Sequence, residues 1–585
     1  RRQQLPLQPR ADESREMSLA TSLREADPIK WLQIALGAIV VVGLHVYLGF
    51  VIAHGFPGAI FPIVVFSFLY AYAFYTFVFM PLFRKVYHVV RPVKLAAIRV
   101  GQYSFHGVPV LQFVIFTTLL AAFATWVIID SAGSRIRLRS VAGMAMYVVL
   151  SVFASAHPSR IKWRPVLGGI VLQVFVGIIV LRVPAGHEAF RWASDQVVKF
   201  LDYTMVGTAF TYGFVSDPPN ICGFGSIFIF TSLQIIIYFG AIVSVLYYLG
   251  VIEFVLSKVA TVMQYTVGTT AAESLNAAAC IFLGQTEAAI LIEPALESMT
   301  SSEIHAVMTA GFACIAGSLF SAYISFGACP EYLLSATVMS AAVSLAVSKI
   351  IYPEVQVSRQ KRIEDFQFKK REENNVLECI SNGAVHAAKF VFDIGANLIV
   401  YLALLAFLNS AIGYLGTLVG LVDLSFNKIL GYCFFPLAYM MGASDAADSA
   451  VEIDETLKVA ELMGMKTVLN EFIAYQSLAG MIADGTLKGP RAQMIATYAL
   501  CGFSNISMIG SQLGILGSMC PKRKSTFAKV VIRALIAGCF SCFMTACVAG
   551  ILVDVPKSCR PNINNNCLNL DDVVDYFRKR NITEI

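Results

Sequence analysis

Charge is scarce in this chain. Asp, Glu, Lys and Arg make up 14% of its 585 residues, against about 25% in soluble domains, which excludes an ordinary water-soluble fold. Strict alternation of apolar and polar residues is missing as well, and with it the signature of a transmembrane β-barrel. No HExxH, Walker or Ser–His pattern occurs, and His305 stands at a helix start with no metal-ligand partner, so nothing favours hydrolytic or nucleotide-driven chemistry. The thirteen cysteines form no disulfide framework. Most lie inside apolar runs, where Cys behaves as a small hydrophobe. Cys539 and Cys542 have the spacing of a redox or metal pair, but within a spanning segment they read as core packing. A net charge of +6 is no argument for nucleic acid in such a chain.

Apolar residues dominate instead: 57% of the chain, with a mean hydropathy of +0.68. Apolar runs recur at 31–53, 59–83, 109–129, 141–156, 166–183, 225–250, 331–352, 391–412 and 531–553. A helix needs about 20 residues to cross the hydrocarbon core, so most of these runs can span, and the fold class is an all-α polytopic membrane protein. Residues 1–30 read as a polar tail. The run beginning at Trp31 is too long for a signal-peptide core and reads as a retained helix. The chain begins with Arg1 rather than Met, which leaves the true start open. Basic residues mark the cytoplasmic side. Arg84, Lys85, Arg91, Lys94 and Arg99 in 84–107, and Arg160, Lys162 and Arg164 in 157–165, fall on the same side as the amino terminus, which is therefore placed in the cytosol. Arg135, Arg137 and Arg139 fall on the opposite side and run against this rule. The tail 554–585 carries Cys559, Cys567 and the sequon Asn581-Ile582-Thr583. An extracellular tail, disulfide-closed and glycosylated at Asn581, fits both features.

Gly284-Gln285-Thr286-Glu287 interrupts an otherwise apolar stretch. A carboxylate and an amide at bilayer depth cost several kcal/mol unless they line a protein cavity, so they mark a functional site. The blander alternative is a hydrogen-bonded pair steadying a bundle. Glu471, between Val468-Leu469 and Phe472-Ile473, is isolated in the same way. A charged connector, Glu354–Glu378, separates two halves, and 187–203 has the mixed pattern of a helix lying at the membrane surface. The halves echo each other: Gly311-Phe312-Ala313-Cys314-Ile315 matches Gly502-Phe503-Ser504-Asn505-Ile506, each expected near a helix start and each after a polar-interrupted region. Paired interruptions of this kind point to a transporter site built from broken helices.

These segments, with Asn470-Glu471-Phe472, the run Val531–Gly538 closing at Phe543–Gly550, His305–Phe312 and Ala322–Gly327, resemble the concentrative nucleoside transporter family. The resemblance covers most of 140–553, and three extra amino-terminal helices resemble its animal branch. It implies a domain order of tail (1–30), amino-terminal transmembrane helices (31–140), transporter core (141–553) and extracellular tail (554–585). It further implies an elevator-type, inverted-repeat transporter: a homotrimer of about eleven spans, in which a scaffold carries a mobile domain with two re-entrant hairpins and two discontinuous helices. A nucleoside needs donors and acceptors for its base, a carboxylate for its ribose hydroxyls and an apolar wall. By matching position, Gln285, Thr286 and Glu287 would face the base, Glu471 and Asn505 would bind ribose, and Phe503 would contact the base, although an aromatic in a helix is more often core.

Two departures from the family pattern stand out. Met508 replaces a serine, with Ser507 one place earlier, and Cys280 stands where sodium-coupled members carry asparagine. The other positions matching the cation site are Leu283, Ser318 and Leu319. Sodium, as a hard cation, prefers oxygen, so the thiol favours a proton carried by Glu287 or Glu471 as the coupling ion, against sodium held by Ser318 and the backbone carbonyls of 280 and 283. The expected function is cation-coupled import of purine and pyrimidine nucleosides across the plasma membrane, without a cofactor. A nucleoside channel or facilitator and, further off, an intramembrane enzyme are the alternatives.

Overall fold

Apolar composition and the bilayer's demand that backbone groups pair within the protein leave helices as the structural unit. In the computed structural model, the described residues are 28–53, isolated positions within 66–74, 104–105, 108–131, 134–216, 218, 227–359, 366, 373–421 and 424–557. The expectations for Cys559, Cys567 and Asn581, for the basic segment 84–99 and for most of the run 59–83 lie outside them. The chain divides into compact units Arg1–Gln102 and Tyr103–Ile585. The first contributes one described long helix, α1 (Pro28–Ala53), which is mostly apolar.

The second unit opens with a two-residue antiparallel pair, β1 (Ser104–Phe105) and β2 (Val108–Pro109). Helices α2 (Val110–Asp130), α3 (Ile136–Phe153) and α4 (Trp163–Leu181) follow. The amphipathic α5 (Pro184–Asp202) covers the segment expected at the membrane surface, and the short α6 (Thr204–Tyr212) succeeds it. Helices α7 (Ile235–Tyr248) and α8 (Val251–Val267) meet at an 81° bend, which falls at Gly250. A first hairpin, α9 (Ala271–Ala279) and α10 (Gln285–Ile292), precedes α11 (Ser301–Ala313) and α12 (Phe320–Ser325). Next come the central α13 (Pro330–Ile351) and the 43-residue α14 (Val376–Leu418). Then α15 (Phe426–Met441) leads to a second hairpin, α16 (Ser449–Val468) and α17 (Glu471–Ala483). Helices α18 (Pro490–Leu500), α19 (Ser507–Met519) and α20 (Lys524–Leu552) complete it.

Six helical stretches among the described residues are long and apolar enough to cross a membrane, or seven if the bent α7–α8 pair is one span. Three of the four hairpin arms are shorter, and the 20-residue α16 is too rich in charge to count as a span. Their burial shows which helices carry the interior: α13 and α20 are buried over 89% of their apolar windows, whereas α14 is buried over 22%. A flank that exposed in an apolar helix is left for lipid or for another subunit.

Two of the three arginines that ran against the basic-side rule, Arg137 and Arg139, are paired, while Arg135 is exposed. Arg137 is buried and donates to Asp130 Oδ2 at 2.6 Å and to the Ile551 carbonyl at 2.8 Å. Asp130 also meets Arg182 at 2.7 Å, and Arg139 pairs with Glu452 while lying over the Tyr439 ring. Arg137 and Arg139 are built into the fold and are not free loop charges. The charged connector, too, is partly folded in. Glu354 accepts from Thr300 Oγ1 at 2.8 Å, and buried Lys349 pairs with Glu273 and lies 3.6 Å from Glu354. Glu273 also closes the capping box of α9 with Thr270. Lys349 thus ties the base of the first hairpin to the ends of α11 and α13.

Removing one partner of a buried pair strands the other charge, at a cost of about 3–5 kcal/mol. Lys349→Gln is therefore expected to lower the melting temperature of the purified protein strongly, and adding Glu273→Gln to recover most of that loss. Equal melting of the single and double variants would show that the pair carries no such weight.

Candidate functional site

Each hairpin is followed by a helix that stops inside the protein. Helix α11 ends at Ala313, and Cys314-Ile315-Ala316 runs without helical structure before a short 3-10 turn, Gly317–Leu319, leads into α12. Helix α18 ends at Leu500, and residues 501–506 separate it from α19. The echoing pentapeptides sit at these two breaks: residues 311–315 at the end of α11, not at a helix start as the sequence suggested, and residues 502–506 directly before the start of α19. The breaks and the hairpin tips are joined through backbone: Gly317 N donates to Phe282 O at 3.2 Å in the first half, and Ile506 N to Thr467 O at 3.0 Å in the second.

This places functional side chains at helix ends. Asn470 caps α17, its side-chain oxygen accepting from Ile473 N at 2.9 Å, and so fixes Glu471 at the first helical position. Glu471 is fully buried. It accepts from Asn505 Nδ2 at 2.8 Å and from the Tyr323 hydroxyl at 3.2 Å, and no ion pair to it is found among the described residues. Asn505 Oδ1 accepts in turn from Ser507 Oγ at 2.6 Å and from Met508 N at 3.0 Å. The Ser507 hydroxyl is therefore spent inside the protein. Gln285, at the start of α10, donates to Met508 Sδ at 3.2 Å and accepts from Gln512 Nε2 at 2.9 Å. The result is one chain of contacts, Gln512–Gln285–Met508–Asn505–Glu471–Tyr323, that runs across both hairpins and both breaks. Phe503 lies buried in the second break.

Thr286 and Glu287 face elsewhere. Together with Ser318 they line a cavity of about 730 Å³, whose other wall is α7 and α14, including Tyr247, Asn382, His386 and Asp393. Tyr247 donates from its hydroxyl to the Glu287 carbonyl at 3.3 Å. Gln285, Glu471, Phe503 and Asn505 do not line this cavity. The six expected ligand residues thus form two groups, parted at the Gln285–Thr286 peptide.

The four cation-site positions meet where the Gly317–Phe282 hydrogen bond joins the first tip to its break. Cys280, Leu283 and Leu319 are buried, and Ser318 brings the only side-chain oxygen of the four. The Cys280 thiol accepts from Asn276 Nδ2 at 3.8 Å, and the same amide donates to Val307 O at 3.2 Å. Among the described residues no group of three or more His, Cys, Asp and Glu side chains could hold a metal, and His305 instead bonds Ser348 and stacks on Tyr352. Cys539 and Cys542 are free and buried, their thiols donating to Ser504 O and Ala313 O at the breaks. Sequence reasoning missed Gln512, Asn276 and the role of Tyr323. Gln512 carried a signal: it follows Asn505 by seven residues, two helical turns, as a lone amide in an apolar helix.

Three family descriptions match in series. They are the Na+ dependent nucleoside transporter N-terminus over 142–215, nucleoside recognition over 229–329, and the Na+ dependent nucleoside transporter C-terminus over 332–550. Sodium/nucleoside cotransporter 2 of Rattus norvegicus is 43% identical over 461 residues, 76% of this chain and 67% of that protein. The chain belongs to the concentrative nucleoside transporter family. Sodium/nucleoside cotransporter 1 of Oryctolagus cuniculus is 44% identical over 452 residues, covering 75% and 66% of the two chains. The structure of CNTnw in an inward-facing substrate-bound state superposes with a TM-score of 0.66 at 33% identity, over 71% of this chain and 98% of that one. An intermediate-state structure of a CNTnw variant gives 0.66 over 72% and 100%. These neighbours confirm the all-α transporter fold.

A buried carboxylate held by two neutral donors keeps acceptor capacity to spare for further hydroxyls. Glu471→Ala is expected to abolish nucleoside uptake while surface labelling stays at wild-type level. Tyr323→Phe, which removes one donor worth about 1 kcal/mol, should raise KM only severalfold. Wild-type kinetics in a surface-expressed Glu471→Ala variant would remove Glu471 from the site.

Proposed function

We propose that this protein imports purine and pyrimidine nucleosides across the plasma membrane by cation-coupled symport. In this reading Gln285 faces the base, Thr286 and Glu287 stand beside it on the cavity side, Glu471 and Asn505 bind the ribose hydroxyls, and Phe503 packs on the base. The observation that carries it is the unbroken contact chain from Gln285 to Glu471, which joins a neutral amide to a fixed carboxylate across the two hairpins. A base and a sugar call for that pair of chemistries side by side. The adjoining cavity, about 730 Å³, falls within the roughly 300–1,000 Å³ of small-molecule sites and serves as the approach on the Thr286–Glu287 side. Two hairpins and two broken helices, set against the long exposed α14, suit an elevator motion of one domain along a homotrimeric scaffold.

Two observations support an orientation with the carboxyl terminus outside. Cys329 is disulfide-bonded, and it lies beside Glu331 and Tyr332, where Lys557 of the carboxyl-terminal segment docks. Disulfides persist on the oxidising side, so this end, with the carboxyl terminus, faces outward. The opposite end carries the acid-free stretch Arg160–Arg164 and the cluster Lys522, Arg523 and Lys524, as expected of a cytoplasmic face.

For the coupling ion, the relatives' names make sodium one candidate. The donor set of this chain supports a proton instead: a thiol at Cys280, two leucines, and a single hydroxyl at Ser318, with Glu287 and Glu471 near at hand to carry the proton. Uptake into proteoliposomes in sodium-free buffer should rise as the outside is acidified and fall at alkaline pH, since the proton gradient is the driving force. Cys280→Asn should add sodium stimulation. Strong sodium dependence with no acid stimulation in the wild-type protein would establish sodium as the driver.

Uridine, inosine and adenosine should each inhibit labelled uridine uptake, and substrate should accumulate above its outside concentration. Inhibition by a single base class would reject broad selectivity. Equilibration without accumulation would indicate a channel or facilitator.

A further inference from the structure

Gln512 is not among the residues expected to touch substrate, yet it decides which end of Gln285 is left over. The pair is buried, at 3% and 8% exposure, and Gln512 Nε2 donates to Gln285 Oε1 at 2.9 Å. Close approach depends on Gly311 in α11, because a Cβ there would press on the Gln512 amide and lie 3.2 Å from Gln285 Cβ. The Gln285 oxygen is thus engaged by a full-strength donor. Among the described residues its NH2 meets only the Met508 thioether, at 3.2 Å.

A thioether accepts weakly and cannot donate. It therefore favours this sense of the amide over the flipped one, which would set the Gln285 oxygen against sulfur. Gln285 is left with unmet donor capacity. Uracil and hypoxanthine carry a carbonyl oxygen at the position where cytosine and adenine carry an amino group, so one edge accepts where the other donates.

We propose that Gln512 is a positioning residue that fixes Gln285 as a donor and so selects oxo-bearing over amino-bearing nucleosides, in purines and pyrimidines alike. This rests on the reading that Gln285 faces the base. The selection cuts across the purine–pyrimidine division and is compatible with transport of both. It also gives the Met508 substitution a consequence: a serine there could donate as well as accept, and would leave the amide free to turn.

The test uses the full chain in proteoliposomes or at the cell surface, with uridine, cytidine, inosine and adenosine as probes. In the wild-type protein kcat/KM is expected to favour uridine over cytidine and inosine over adenosine by about tenfold, the scale of one mismatched hydrogen bond. Gln512→Met keeps length and packing but removes the donor, and both ratios should fall toward one while surface expression holds. A merely structural role would lower all four substrates together and leave the ratios in place. Unchanged ratios in Gln512→Met, or wild-type ratios at or below one, overturn the proposal, and the wild-type measurement stands even if the variant fails to reach the membrane. Gln285→Ala separates the two layers of the argument. If it leaves both affinities and ratios unchanged, the base-facing reading itself is wrong. If it levels the ratios while Gln512→Met does not, only the role of Gln512 is lost.

Discussion

Backbone ends inside a membrane have no water to turn to, and each one left unpaired costs several kcal/mol. The core of this transporter is arranged around that constraint. Two helices stop at mid-depth, and each broken end is met by the tip of the hairpin before it: Gly317 N on Phe282 O, and Ile506 N on Thr467 O. Further groups complete the set. Buried Lys466 donates to Ala499 O at 3.1 Å, at the carboxyl end of α18, where a cation is favoured by the helix dipole. The thiols of Cys539 and Cys542 reach the carbonyls of Ser504 and Ala313 from α20. Tip and break are therefore held in register, and side chains one or two residues away from them have little freedom in where they lie.

That register assembles a polar site without free loops. Glu471 follows directly on the Asn470 cap, Asn505 and Ser507 flank the second break, and Gln285 begins the helix after the first tip. Each side chain stands at a helix end whose backbone is already committed, so its position is set before a substrate arrives. Preorganisation of this kind lowers the entropic cost of binding. In a low-dielectric interior it also makes each of the hydrogen bonds on Glu471 stronger than it would be in water. Gln512, donating to Gln285, and Tyr323, donating to Glu471, hold these groups in turn.

Much of this was legible in the residues themselves. Polar interruptions at 284–287 and 470–471 stood out because the bilayer makes them costly, and the pentapeptide echo located both breaks, though not the direction of the helices around them. Other features were hidden for physical reasons. The pairing of Gln512 with Gln285 joins residues more than two hundred positions apart, and nothing local distinguishes a glutamine that supports a site from one that faces a neighbouring helix. Arg137 looked like a loop charge because its partners, Asp130 and the Ile551 carbonyl, converge only in the folded bundle. Glu354 looked solvated because Lys349 and Thr300, which hold it, lie on other helices. The division of Thr286 and Glu287 from Gln285 follows from helical geometry: adjacent residues diverge by about 100° around the axis, so a contiguous motif cannot point into one place.

The two halves solve the same problem with different groups, and the difference matters for function. In the second half Asn470 caps its helix with a side-chain oxygen that accepts from the backbone N–H of Ile473, which leaves Glu471 free to face Asn505 and Tyr323. In the first half the corresponding cap is Gly284, which has no side chain to offer. The Glu287 carboxylate leans back over it, so close that a Cβ on Gly284 would lie 2.5 Å from Oε2. One carboxylate is thus committed to neutral side-chain donors, and the other rests against a helix start beside the cavity and the cation-site residues. Glu471 is thereby held in one place by side-chain donors from two other elements. Glu287 rests on the backbone of its own helix start and lines the cavity together with Ser318. The capping residue, asparagine at the second tip and glycine at the first, is what sets the two carboxylates in different surroundings.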